Sequence, residues 1–190
     1  MKISRICILL AAAALSACAG TPAPKAAVGA VGAVATVYYF GPVLYFSPDG
    51  KIPYNNTQSA VIRMTSADRS RIIETVTQPG WGPSMPSREY VTELRRRDST
   101  LVYDAADAGG SFTGTVTFKD SGLKSWDYDI RLKDGGTIKG TGEVSPEGLR
   151  TEKQLGGIPR PMLIKEDLKM VSEEGYRARL KEMLPPRGAE

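Results

Sequence analysis

From about Val37 to Leu155 apolar and polar side chains alternate with a period of two, interrupted at short intervals by turn-forming residues. The pattern is cleanest in the second half. Phe112, Gly114, Val116 and Phe118 alternate with Ser111, Thr113, Thr115 and Thr117, and Trp126, Tyr128, Ile130 and Leu132 alternate with Asp127, Asp129, Arg131 and Lys133. Each segment therefore has one face to bury. Asp134, Gly135 and Gly136 are expected to supply the positive-φ positions of a tight hairpin, followed by a strand that places Ile138, Gly140, Gly142 and Val144 inward. Ser145 to Gly148 turn the chain again into Leu149 to Leu155. Ala60–Met64, Ile72–Thr77, Tyr90–Leu94 and Leu101–Ala105 are further candidate strands. Val37–Phe40 and Val43–Phe46 read as two short strands separated by the turn Gly41-Pro42.

About eight to ten strands joined by short turns make an antiparallel meander, and a sheet of that length removes its edges by closing. The fold class expected is therefore mainly β: a small, lipocalin-like barrel, with a two-sheet β-sandwich as the alternative. The resemblance to lipocalins is one of strand pattern only. Their Gly-x-Trp signature is missing near the first strand, and Gly80, Trp81 and Gly82 lie in a proline-rich loop.

After Pro159 and Pro161 the spacing of Ile164, Leu168 and Val171 predicts a helix, and Ser172 before Glu173 and Glu174 predicts the N-cap of a second. The stripe Tyr176, Leu180, Met183 and Leu184 is expected to cover an open end or an edge of the barrel. Pro185 and Pro186 end the helix.

The first residues follow other rules. Lys2 and Arg5 precede the uncharged apolar run Ile6–Leu15, which is the pattern of a secretory signal peptide and is shorter than the ~20 residues that span a bilayer. Leu15, Ser16, Ala17 and Cys18 then follow in order. They resemble the lipobox of bacterial lipoproteins. That resemblance implies cleavage before Cys18, thioether lipidation of its sulfur and acylation of the new amino terminus. Because Ala19 and not Asp follows the cysteine, it also implies an outer-membrane location facing the periplasm. The expected organisation is a signal peptide over 1–17, the lipidated Cys18 with a tether over 18–35, a β domain over 36–158 and a helical tail over 159–190. Ala26 to Phe46 is uncharged and long enough to span a bilayer, but Gly29, Gly32, Gly41 and Pro42 interrupt it and an anchor already stands at Cys18.

Composition narrows the chemistry. The chain has no His, which excludes imidazole bases, imidazole metal ligands and Ser-His or Cys-His nucleophiles. Its two cysteines are Cys7, inside the leader, and Cys18, so the mature chain would hold neither a disulfide nor a free thiol. Lys and Arg total 25 against 21 acids, and the loss of Lys2 and Arg5 reduces the excess from four to two, too slight and scattered for nucleic-acid binding despite the run Arg95, Arg96, Arg97. Ser121-Gly122-Leu123-Lys124 has the Ser-x-x-Lys spacing of penicillin-binding proteins, but it sits in a turn and lacks the companion motifs. Asp127 and Asp129 share a strand face about 7 Å apart by strand rise, yet that face is the solvent one, where carboxylates make poor acids at neutral pH and pair instead with Arg131 and Lys139. Asp104, Asp107, Gly109 and Gly110 lack the spaced oxygen ligands of a calcium loop and read as a glycine-rich turn. No cofactor or metal is expected. Asn55-Asn56-Thr57 matches a glycosylation acceptor that has no meaning in a bacterial lipoprotein.

The inward set is the candidate ligand site: Phe112, Phe118, Trp126 and Tyr128, with glycines at Gly114, Gly140 and Gly142 that either accommodate those rings or leave a void. Lys153 is expected to project inward with Leu149 and Leu155, where it would meet a ligand headgroup or reach water at the strand end. The expected function is a non-enzymatic, membrane-anchored envelope lipoprotein that binds an apolar or lipid-like ligand. A structural or assembly partner of an envelope complex, using the tyrosine-rich amino end and the helical tail as contact surfaces, is the alternative, and a carboxylate-based envelope hydrolase the third.

Overall fold

The computed structural model describes residues 34–79 and 87–184. Cys18, the signal peptide, most of the tether and Gly80-Trp81-Gly82 lie outside the described residues. Ten antiparallel strands, each paired with its chain neighbours, form a closed barrel in which β1 meets β10. They are β1 (Val34–Phe46), β2 (Pro53–Ser66), β3 (Arg71–Gln78), β4 (Arg88–Arg96), β5 (Val102–Asp107), β6 (Phe112–Phe118), β7 (Ser125–Leu132), β8 (Thr137–Ser145), β9 (Gly148–Gly156) and β10 (Met162–Val171), followed by α1 (Glu173–Met183). The seam pairs Tyr38 with Val171 and Phe46 with Leu163, so the barrel and not the sandwich is the architecture.

The alternation over β6, β7 and β8 sets the register across the barrel. Trp126 stands opposite Phe118 on one side and Gly142 on the other, and Tyr128 opposite Val116 and Gly140, which puts the large rings inside and Asp127 and Asp129 on the wall. The glycines resolve in favour of packing. A Cβ on Gly142 would overlap the Trp126 ring, and Cβ atoms on Gly114 and Gly140 would strike the backbones of β7 and β9. These are close approaches within a bent sheet, where only glycine fits. In the β7–β8 turn only Gly135 takes a positive φ, of 91°.

Three expectations change. Gly41-Pro42 is not a turn: β1 runs through it as one strand. A Cβ at Gly41 would lie 2.6 Å from the Asp167 carbonyl oxygen, so glycine lets β1 press against β10 at the seam, and Pro42 faces solvent. Residues 162–171 form a strand, not a helix, so the β domain runs from Val34 to Val171 and not over 36–158. Ile164 and Leu168 share a face at a spacing of four in either structure, and the residue between them on that face is Glu166, a buried carboxylate that disguises the alternation Met162, Ile164, Glu166, Leu168. The helix after Ser172 forms as expected, with the Ser172 hydroxyl accepting from the Gly175 N–H at 3.1 Å. It lies against the outer wall over β1 and β2, however, and not across an end. Its buried residue, Tyr176, meets Tyr38 at a ring separation of 5.3 Å, and Arg179 stands over Phe40.

Candidate functional site

The barrel interior divides along its axis. The half nearest the β2–β3, β4–β5 and β6–β7 turns is sealed by Tyr39, Val61, Ile72, Leu94, Tyr103, Val116, Phe118, Trp126, Leu149 and Leu168, all buried. Tyr103, Phe118, Trp126 and Tyr128 form a ladder of rings, with centroids 4.9, 5.5 and 6.1 Å apart in tilted or edge-on contact. Leu123, in the β6–β7 turn at φ 57°, adds a further buried apolar side chain to this half. The Tyr103 hydroxyl donates to the Arg69 carbonyl.

Across the middle runs a belt of charges that face inward. Arg63 on β2 donates to Glu74 on β3 at 2.9 Å, and its guanidinium lies 4.5 Å from the centre of the Trp126 ring. Lys153 on β9 donates to Glu166 on β10 at 2.7 Å, and the Thr151 hydroxyl donates to the same carboxylate oxygen. Burial opposes ionisation of both partners, and their mutual attraction outweighs it: Lys153 is held above the ordinary lysine range and Glu166 below the ordinary carboxylate range. Burial pushes the Tyr128 hydroxyl up to about 12, against the pull of the Lys153 ammonium 5.5 Å from its ring. Two cations and two carboxylates leave the belt with no net charge.

Beyond the belt, toward the β1–β2, β5–β6, β7–β8 and β9–β10 turns, the lining changes. Val43, Tyr45 and Met162 are buried on one side, with Leu155 and Ile164 packed against them. The inward positions Val76, Tyr90, Phe112, Leu132, Ile138 and Leu155 are only half-buried. In this half the described lining is apolar and, at those positions, half-buried, with Val76 and Phe112 packed against the sealed core, and the neutral belt lies between the two halves; this end is termed the mouth. The Tyr45 hydroxyl donates to Gln78 at 3.4 Å on the same side.

The candidate residues are thus distributed over three levels. Phe118 and Trp126 belong to the sealed core, each 2% exposed. Tyr128 stands at the belt, Phe112 at the mouth, and Lys153 faces inward as expected but already holds Glu166. Arg63, Glu74 and Glu166 were not among the candidates. Their signal is a charge at an inward register position, as in Ile72, Glu74, Val76, which is readable only once the opposite strand is known. On the wall, Asp129 faces Lys139 at 3.9 Å as expected, while Asp127 takes Lys119 at 2.9 Å and not Arg131. Asp107 accepts from the Ser111 hydroxyl and the Phe112 N–H, and so closes its own turn. Comparison with family models, with curated proteins and with solved structures gives no match for the chain.

Proposed function

We propose that the chain is a bacterial envelope lipoprotein, held at the membrane through Cys18, that binds an apolar or lipid-like ligand at the mouth of its barrel and catalyses no reaction. The observation that carries this reading is the ring of half-buried apolar side chains, Val76, Tyr90, Phe112, Leu132, Ile138 and Leu155, around the mouth. Inward apolar surface left partly wet is stabilised by any apolar guest that covers it, at about 25 cal/mol per Å². The packed half restricts that guest to the mouth, because Trp126 and Phe118 already fill the far end. The belt suits a polar but uncharged end group, since Lys153 and Arg63 each hold an internal carboxylate. Three acyl chains at about 0.8 kcal/mol per buried CH₂ exceed what stable anchoring requires, and the lipobox resemblance favours the periplasmic face of the outer membrane.

The assembly-partner reading relied on the tyrosines of the amino end and on the tail as contact surfaces. Tyr39 lies inside the barrel and Tyr38 meets Tyr176 in a tilted contact, so these two are engaged within the chain, while Tyr54 stays exposed. The test is solvent extraction of the purified membrane form followed by mass spectrometry, together with titration of a fluorescent fatty-acid analogue into the wild type and Leu155→Glu. A stoichiometric lipid, with binding lost in the folded variant, supports the carrier. An empty protein that ignores the probe overturns it.

A further inference from the structure

The β1–β2 hairpin is the longest in the barrel and is held on one side only. β2 pairs with β3 from Ala60 to Thr65, so Pro53–Gln58 is held by β1 alone among the described residues. The tip is a fixed turn: the Ser47 N–H donates to the Ile52 carbonyl at 2.8 Å, the Ile52 N–H donates to the Ser47 hydroxyl, and that hydroxyl donates to Asp49. This rigid turn presents Ile52 at 61% exposure, Tyr54 at 53% and Leu44 at 38%. The only charges between Leu44 and Gln58 are Asp49 and Lys51, which face each other at 3.8 Å and cancel. At the opposite end the turns carry Asp68, Arg69, Arg97, Asp98, Lys119, Asp120 and Lys124. Among the described residues the other large exposed apolar side chains, Val34 and Met170, stand on different strands there.

We infer that the tip of this hairpin seats in a lipid bilayer, with Ile52, Tyr54 and Leu44 at the boundary between headgroups and acyl chains. Chain length makes this reachable from the anchor. The inference rests on the lipoprotein reading for its geometry: sixteen steps separate Cys18 from Val34, and an extended tether of that length reaches about 55 Å. β1 has 13 residues and spans about 40 Å from Val34 to Phe46 on the tip side. The tether is therefore long enough to let the barrel turn its mouth toward the membrane that holds it. A neutral, apolar, rigid tip enters that boundary without desolvating an unpaired charge. Its place beside the mouth puts the apolar lining next to the bilayer, so a lipid would pass between the two without crossing open water.

The test uses a single reporter cysteine, since Cys7 is removed with the leader and Cys18 is consumed by lipidation. The full chain carrying Ile52→Cys, or Ser99→Cys in the β4–β5 turn, is produced, labelled with an environment-sensitive fluorophore and placed on vesicles of phosphatidylethanolamine and phosphatidylglycerol that contain a spin-labelled phospholipid. The mass of the mature chain reports lipidation separately. A chain found unlipidated refutes the anchor alone; it is remade with Cys7→Ser and Cys18→Ser, so that the reporter stays single, and mixed with the same vesicles. The expected result is a blue shift and loss of most emission at position 52, with emission at position 99 unchanged. Unquenched emission at both positions, or equal quenching at both, overturns the proposal whatever the mass.

Discussion

The contact between Gly142 and Trp126 gives the sharpest quantitative test of the interior. Burying a Trp removes roughly 150–250 Å² from water, which at about 25 cal/mol per Å² contributes about 4–6 kcal/mol. Trp126→Ala is accordingly expected to destabilise by about 3–5 kcal/mol. Gly142→Ala deletes nothing, but its methyl group would overlap a ring that is 2% exposed, flanked by Phe118 and Tyr128 and covered by Arg63, so the ring has nowhere to move. Overpacking of this kind costs about 1–3 kcal/mol. With the ring gone, the methyl of the double variant falls into the space it occupied, and the overpacking penalty vanishes. The double variant should therefore be no less stable than Trp126→Ala alone, an interaction of about 1–3 kcal/mol by the double-mutant cycle. Urea unfolding followed by far-ultraviolet circular dichroism measures all four proteins independently of Trp emission. Additive losses would refute the register that places this ring over this glycine, and with it the division into a sealed half and a mouth.

Glu166→Ala leaves the Lys153 ammonium buried without its partner and is expected to cost about 3–5 kcal/mol, most of which Glu166→Leu combined with Lys153→Met restores; thermal unfolding compares them. Because Glu166 is depressed in the folded chain, its contribution is complete above the unfolded carboxylate value near about 4.3 and is lost as the pH falls through the lower folded value, so acid unfolding should be shallower in the double variant. The raised Lys153 acts in the opposite direction: its share is complete below the unfolded lysine value and fades only in strong alkali, so pH 6 to 9 should leave the pair intact. Ser172→Ala removes the cap of α1 at about 1 kcal/mol, and amide exchange around Tyr176 should quicken without any change in the barrel strands. Cys18→Ala should abolish lipoprotein-type processing, read as a heavier precursor on mass spectrometry; unchanged processing and membrane retention would remove the anchor.

The strands were legible where the inner face was uniformly apolar. β6, β7 and β8 alternate without exception, and the turn residues between them fix the register. Legibility failed where an inward charge let a strand pass for a helix, or where a Gly-Pro pair imitated a turn. Glu166 hid β10, since a buried carboxylate makes sense only against Lys153 on the neighbouring strand, and the alternation was lost to a helical spacing that a strand satisfies equally well. Gly41-Pro42 spelled a turn by local chemistry, and only the close passage of β10 explains why a strand needs glycine there. The candidate site followed the same rule. Lys153 was readable because Leu149 and Leu155 flank it in alternation. Arg63 and Glu74 were not, because each is an interior residue only by virtue of the other.

The seam between β1 and β10 also governs the order of assembly. Every other strand finds its partner one turn away, whereas Tyr39 and Val43 on β1 must wait for Met170 and Glu166, more than a hundred residues further along the chain. Until β10 has been synthesised, the growing sheet is a ribbon with two live edges and one face lined by the side chains that will become the core. Such an open ribbon invites pairing with its own copies. The ten residues of β10 are thus the latch: their loss would leave no smaller barrel, only an unclosed sheet, and a chain interrupted before Met162 should be recovered as aggregate and not as a shortened protein.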